Sequence, residues 1–151
     1  FEGLNNEPDM EAPYAYIFAG RHDRTCEVVR AGMGLFADTP GGLVGNDDSG
    51  GMSSWYVWSS LGLFPVAGQD CFLIGSPLFA AARLRLPGGH HFSIAAADNA
   101  SQRPYVAAAW LNGTPLAKPW LRWADIANGS TLELTMSDSP AAWSPAASSP
   151  T

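Results

Sequence analysis

Apolar residues recur at helical spacing over residues 1–66 and alternate with polar ones beyond, which predicts helices first and strands after. Residues 12–19 form a short apolar segment ended by Gly20. Asp23 then caps a helix running to about Phe36, with Cys26, Val29, Met33 and Phe36 on one face. Thr39-Pro40-Gly41-Gly42 breaks it. A third helical run places Met52, Trp55, Tyr56, Ser59 and Leu63 on one face, takes Asp48 or Ser49 as its N-cap, and is closed by Pro65. Short helices joined by loops that carry acids suit a helical toroid whose loops converge on one face.

From residue 67 the period changes. Residues 71–75 are a short apolar run, and Ala82-Arg83-Leu84-Arg85-Leu86 alternates as a half-buried strand does. Pro87-Gly88-Gly89 turns the chain into residues 92–96. Residues 105–111 make a further strand, Asn112-Gly113 is a hairpin signal, and Leu132-Glu133-Leu134-Thr135-Met136 alternates again. The expected fold class is α+β: a helical segment over residues 1–66, then an antiparallel β-module over residues 67–151, with a loosely held Ser/Pro/Ala-rich tail from Ser137.

Composition bounds what this chain does. It has 151 residues, 46% hydrophobic and 15% charged, as a folding chain does. Net charge is −6 with no basic run, which argues against a nucleic-acid groove or a polybasic membrane patch. No apolar stretch approaches the roughly 18 residues that span a bilayer. No secretion signal opens the chain, and a start on Phe1 instead of Met suggests a piece of a longer protein. Cys26, on an apolar helix face, reads as a buried free thiol, and neither it nor Cys71 has a metal-binding partner at usual spacing. Asn99, Asn112 and Asn128 each begin an N-glycosylation pattern that is common by chance. His90-His91 follows a glycine turn, projects to opposite faces and reads as solvated.

The candidate chemistry lies in Gly45-Asn46-Asp47-Asp48-Ser49-Gly50, just before the aromatic-rich third helix. On residue types alone two readings stand: an ordinary capping turn, or a carboxylate kept ionised near a helix start as a general base or cation ligand. Asn5-Asn6-Glu7-Pro8 is likewise a polar turn before a helix or a set of hard oxygen donors.

The string from Gly45 onward through Trp55-Tyr56-Val57-Trp58 and Leu61-Gly62-Leu63-Phe64-Pro65-Val66 resembles the signature of the family 92 glycoside hydrolases. Asn6-Glu7-Pro8-Asp9-Met10-Glu11-Ala12-Pro13-Tyr14-Ala15-Tyr16, Gly20-Arg21, Ile74-Gly75-Ser76-Pro77-Leu78-Phe79, Leu111-Asn112-Gly113 and Trp120 extend the likeness in the family's order until about Ser137. The resemblance implies a calcium-dependent, inverting exo-α-mannosidase, secreted or periplasmic, acting on an α-mannoside or N-glycan. It implies that the chain is the C-terminal part of an (α/α)6 helical toroid followed by the β-module. The surplus of large apolar side chains, Phe36, Trp55, Tyr56, Trp58 and Phe64 among them, would then meet the rest of the barrel and an N-terminal β-sandwich.

The family's general base matches Asp48, with Asp47 as its support. Asn6 and Glu7 match calcium ligands, with Glu2, Asn5 and Asp9 nearby, and the general acid, a Glu, is expected before Phe1. Trp55, the tryptophan nearest the acidic loop, is a candidate to line the sugar site. Gly51 and Ser54 depart from the commonest family pattern of Gln and Ala, which bears on linkage preference and not on Asp48. The competing class is a non-catalytic carbohydrate-binding β-module, which needs no poised carboxylate in a turn.

Overall fold

The structure, a computed structural model, describes residues 3–143. Glu2 and residues 144–151 of the tail lie outside the described residues. The chain opens with a 3-10 turn at Glu7–Met10, helix α1 at Ala12–Ala15 and a second 3-10 turn at Tyr16–Ala19. Helix α2 spans His22–Met33 and helix α3 spans Gly51–Ser60. Strands β1 (Leu63–Pro65), β2 (Phe72–Ile74) and, later, β7 (Trp120–Leu121) form an antiparallel three-stranded sheet in the order β1-β2-β7. Strands β3 (Ala81–Arg85), β4 (His91–Ala95), β5 (Tyr105–Leu111), β6 (Thr114–Pro115) and β8 (Ser130–Ser137) form a second sheet, ordered β3-β4-β8-β5-β6. A single turn of helix, α4 (Trp123–Ile126), precedes β8.

Helix and strand types follow the expected periods, but four local expectations are corrected. The N-cap of α2 is Arg21, and Asp23 sits inside the first turn holding the Arg21 guanidinium with both carboxylate oxygens, at 2.9 and 2.7 Å. Helix α3 stops at Ser60, because Gly62 turns the backbone left-handed (φ 80°), so Leu63 belongs to β1 and not to the helix face. The β-module is mixed, since β4 and β8 run parallel with Ile94 opposite Leu132. β8 reaches β4 only after the chain has passed through β5, β6, β7 and α4, a crossover connection of the kind that parallel pairing requires. The tail is held as far as Trp143: its indole N–H donates to the Leu116 carbonyl at 3.1 Å and its ring stands edge-on to His22. Asn112 (φ 50°) and Gly113 (φ 77°) form the β5–β6 turn that the Asn-Gly signal predicts.

Two apolar clusters hold these parts together. One gathers Phe92, Ile94, Val106, Ala109, Leu132, Leu134 and Met136 of the larger sheet with Leu63, Ile74 and Cys26. The other gathers Leu4, Tyr14, Ile17, Val29, Met33, Met52, Trp55, Phe64 and Leu73. Each draws residues from both sides of Val66. Helix α2 faces both clusters, through Cys26 and Val29 respectively, so it ties the sheets to α3. Its Gly32 lets the Trp55 ring approach closely, since a Cβ there would sit 2.9 Å from the ring edge. Burying an aromatic of that size removes about 150–250 Å² from water, among the largest single contributions a side chain makes. Phe18, Val57, Leu43 and Phe79 remain more than half exposed.

Candidate active site

Three hydrogen bonds bring the Asn5–Met10 segment against the acidic loop and α3. The Asn46 N–H donates to the Asn5 carbonyl at 3.0 Å. The Asp48 N–H donates to Glu7 Oε1 at 3.1 Å, and the Trp55 indole N–H donates to the Met10 carbonyl at 3.0 Å. The segment is also ordered from within: Asn6 Oδ1 accepts the Glu7 N–H at 3.0 Å, while Asp9 Oδ2 accepts the Asn5 and Asn6 N–H groups at 2.9 and 3.1 Å. This is a reciprocal capping box, formed because a short turn leaves its first amides without backbone partners. Gly45 makes the approach possible. Its φ is +60°, and an added Cβ would lie 2.4 Å from the Asn5 carbonyl oxygen.

Within the loop the two acids are differently engaged. Asp47 Oδ1 accepts the Ser53 N–H at 2.9 Å and its Oδ2 accepts the Ser53 hydroxyl at 2.7 Å. Those Ser53 hydrogen bonds hold the Asp47 carboxyl below the usual carboxylate range, so it stays ionised. Ser49 (φ 54°) and Gly50 (φ 77°) turn the chain into α3, and the N-cap is Gly50. The expected capping by Asp48 or Ser49 is therefore corrected: Asp47, reaching Ser53 in the first turn of α3, satisfies the amide that a cap would take. Asp48 is exposed, and among the described residues no hydrogen bond or ion pair engages its carboxylate.

Glu7 lies against the start of α3, with its Oε1 and Cγ each 3.2 Å from where a Gly51 Cβ would stand. Asn6 and Glu7 offer hard oxygens, the donor type a calcium ion takes. Each has one oxygen already accepting an N–H, and among the described residues no hydrogen bond engages Glu7 Oε2. Among those residues no three His, Cys, Asp or Glu side chains gather as metal ligands. A calcium shell of roughly six to eight oxygens would therefore take only a part from this chain.

Trp55 is 2% exposed and stacked near Phe36, with centroids 6.1 Å apart. The ring is a core element whose polar edge anchors the Asn5–Met10 segment, and it also borders a cavity that Glu7 and Gly51 line. Sequence reading missed Ser53 and Gly45. The first pairs with Asp47 across six positions, which matches no capping pattern; the second carried only a turn signal.

A cavity of about 490 Å³ lies elsewhere, an aromatic groove bordered by Glu11, Phe18, Asp70, Trp120 and Arg122. A smaller one of about 180 Å³ adjoins Glu7, Gly51 and Trp58. The second lies beside Glu7, whose Oε1 holds the Asp48 N–H.

Known proteins bear out the likeness of these motifs. The sequence model of the glycosyl hydrolase family 92 catalytic domain matches residues 3–138. A protein described as an uncharacterized secreted glycosidase from Arthroderma benhamiae is 33% identical over 144 residues, which cover 93% of this chain and 19% of that one. The family GH92 α-mannosidase BT3965 from Bacteroides thetaiotaomicron superposes with a TM-score of 0.84 at 32% identity, over 90% of this chain and 19% of its own. The family GH92 inverting mannosidase BT2199 from the same organism gives 0.83 at 38%, over 89% of this chain and 19% of its own. This chain thus spans about a fifth of the length of these relatives. With a family match running from Gly3 to Asp138, through the Glu7 turn, the Asp48 loop and the strands beyond, the chain belongs to glycoside hydrolase family 92.

Proposed function

We infer that this chain carries the general-base side of an inverting, calcium-dependent exo-α-mannosidase that removes terminal α-linked mannose from glycans. The observation that carries this reading is the hydrogen bond from the Asp48 N–H to Glu7 Oε1, which sets the exposed Asp48 beside a second carboxylate whose Oε2 no hydrogen bond engages among the described residues. The solved relatives support the substrate class: BT3965 has also been seen with mannoimidazole bound, and BT2199 is described as inverting.

Asp48 is the base. Its exposed carboxylate takes a proton from the water that attacks the anomeric carbon. Asp47, engaged by Ser53, supports the loop and does not itself meet the water. An inverting pair needs a protonated carboxyl roughly 6.5–9.5 Å away on the opposite face of the sugar. Glu27 is held by Tyr105 at 2.7 Å and by Arg24, and the acid, as the family resemblance implies, would be a Glu upstream of Phe1. Asn6 and Glu7 would hold calcium in company with further ligands, and the ion would polarise and orient the sugar hydroxyls. Exposed Phe18 and Val57 would be covered by the rest of the polypeptide. No helix of the described residues is long and apolar enough to cross a membrane, and the Arthroderma relative is described as secreted, which supports export.

The test is Asp48→Asn in the complete enzyme, assayed on an α-linked mannobiose. General-base loss lowers kcat by about 10²–10⁴-fold, and the wild type releases mannose first as the β-anomer, visible by NMR. Full activity of Asp48→Asn would overturn the mechanism and leave the carbohydrate-binding module as the better reading.

A further inference from the structure

We propose that Ser53 is a positioning residue, which acts through Asp47 to aim the Asp48 carboxylate. The inference rests on the reading of Asp48 as base. Three observations carry it. Both oxygens of Asp47 are taken by one residue, Ser53, at 2.9 Å to its N–H and 2.7 Å to its hydroxyl. Such two-point binding fixes the carboxylate in plane as well as in distance, where a single bond would leave it free to swing. The Asp47 carbonyl also accepts the Gly50 N–H at 3.0 Å, closing the loop around Asp48 and Ser49. Finally, the peptide joining Asp47 to Asp48 is held on its other side, where its N–H meets Glu7 Oε1 at 3.1 Å.

Asp48 thus projects from a peptide unit tethered to two separate elements, α3 through Ser53 and the Glu7–Met10 turn through Glu7. Its own side chain is exposed and unengaged, so the point and direction from which it leaves the chain are set by the backbone that carries it. The loop contains two left-handed residues, Ser49 and Gly50, one of them not glycine. Such a conformation persists where neighbouring contacts over-determine it. Removing the Ser53 hydroxyl releases one of the two Asp47 oxygens and lets this turn relax. Displacement of a catalytic group by about 1 Å costs as much as 10²-fold in rate. A partial release should cost less.

The experiment uses the complete enzyme and compares Ser53→Ala with Ser53→Thr, which keeps the hydroxyl. The expected result is about a 10-fold lower kcat for Ser53→Ala, with KM within about twofold of wild type. Ser53→Thr should return near the wild-type rate. Adding Ser53→Ala to Asp48→Asn should cost nothing further, because a misaimed base that is already gone cannot lose more. A Ser53→Ala enzyme that melts earlier but keeps its kcat would reduce Ser53 to a stability role and overturn the proposal. So would a loss that multiplies fully with Asp48→Asn. Activity surviving in Asp48→Asn alone would instead sink the base assignment, which separates the two failures. If Ser53→Ala does not fold, Asp47→Asn, which keeps the shape and one acceptor oxygen, is read by the same criteria.

Discussion

The indole of Trp143 stands edge-on to the imidazole of His22, with ring centroids 4.8 Å apart and planes at 73°. This contact pins the chain beyond β8 onto the start of α2. His22 is 1% exposed, its Nε2 donates to the Ile74 carbonyl at 2.8 Å, and its Nδ1 faces the Cys26 sulfur at 3.7 Å. Burial lowers the His22 pKa from 6.5, although the Ile74 carbonyl and the neighbouring Asp23 oppose the shift. Burial likewise pushes the Cys26 thiol up to about 12, so this joint between helix and sheet is neutral at physiological pH.

A pH dependence follows. Because the folded His22 pKa is depressed, the unfolded chain takes up a proton near pH 6.5 that the folded chain refuses until a lower pH. Its contribution to stability is therefore full above pH 6.5 and falls as the pH drops towards the folded pKa. The carboxyls of Asp23, Glu27 and Asp47 are also depressed, below ordinary values of 3.8 for Asp and 4.5 for Glu, so their contributions are lost only in stronger acid. The complete enzyme should melt earlier at about pH 5 than at about pH 7.5. In His22→Gln, which keeps a donor for Ile74 and cannot titrate, that difference should shrink. An equal pH response in the two proteins, measured by calorimetry, would remove His22 from the account.

The Tyr14 hydroxyl and the Ser59 hydroxyl pair at 2.9 Å in the core, where both residues are 1% exposed or less. Tyr14→Phe leaves Ser59 buried without its partner and should cost about 1–3 kcal/mol. Adding Ser59→Ala should recover part of that loss, since an apolar pair of similar shape has nothing unsatisfied. A double-mutant cycle by denaturant unfolding checks it, and strict additivity would deny the coupling.

The sequence made the element types legible, because period is a local property: α2, α3 and β3 to β5 lie where their spacing predicts. It missed what depends on distant partners. Leu63 continues the helical face of Trp55 and Ser59 in one dimension, but β1 pairs with β2 and the helix ends before it. The parallel β4–β8 pair was likewise invisible, since alternation in Leu132, Leu134 and Met136 reports a buried face and not a strand direction. At the site, residue types pointed to the acidic loop and to Asn6-Glu7 separately. Only the folded chain shows that a backbone N–H of one meets a side chain of the other, 41 residues apart. Trp55 is a further case of a distant partner: its ring fills the gap beside Gly32, a packing that the one-dimensional pattern does not report.

Gly45 is the tightest point of that meeting. Gly45→Ala forces a Cβ to within 2.4 Å of the Asn5 carbonyl and places a side chain at φ +60°. The Asn5–Met10 segment must shift away from the Asp48 loop. We expect kcat/KM to fall at least about 10-fold in a protein whose far-ultraviolet circular dichroism is unchanged. Wild-type kcat/KM in Gly45→Ala would show that the spacing between the two segments does not matter for turnover.

Calcium dependence tests the other half of the site. Excess chelator should abolish activity of the complete enzyme on α-mannosides, and calcium should restore it better than zinc, because an oxygen-only shell suits the harder and larger ion. Glu7→Gln separates binding the metal from holding the loop. The amide oxygen still accepts the Asp48 N–H, so the loop keeps its place, but the negative charge that attracts the cation is gone. The half-restoring calcium concentration should then rise by about 10-fold or more, while kcat at saturating calcium stays closer to wild type than in Asp48→Asn. Glu7→Ala removes both tasks, and its kcat should remain low however much calcium is added. If wild-type activity is indifferent to chelator, Asn6 and Glu7 lose their metal role. The Glu7–Asp48 hydrogen bond then stands as a loop tether alone.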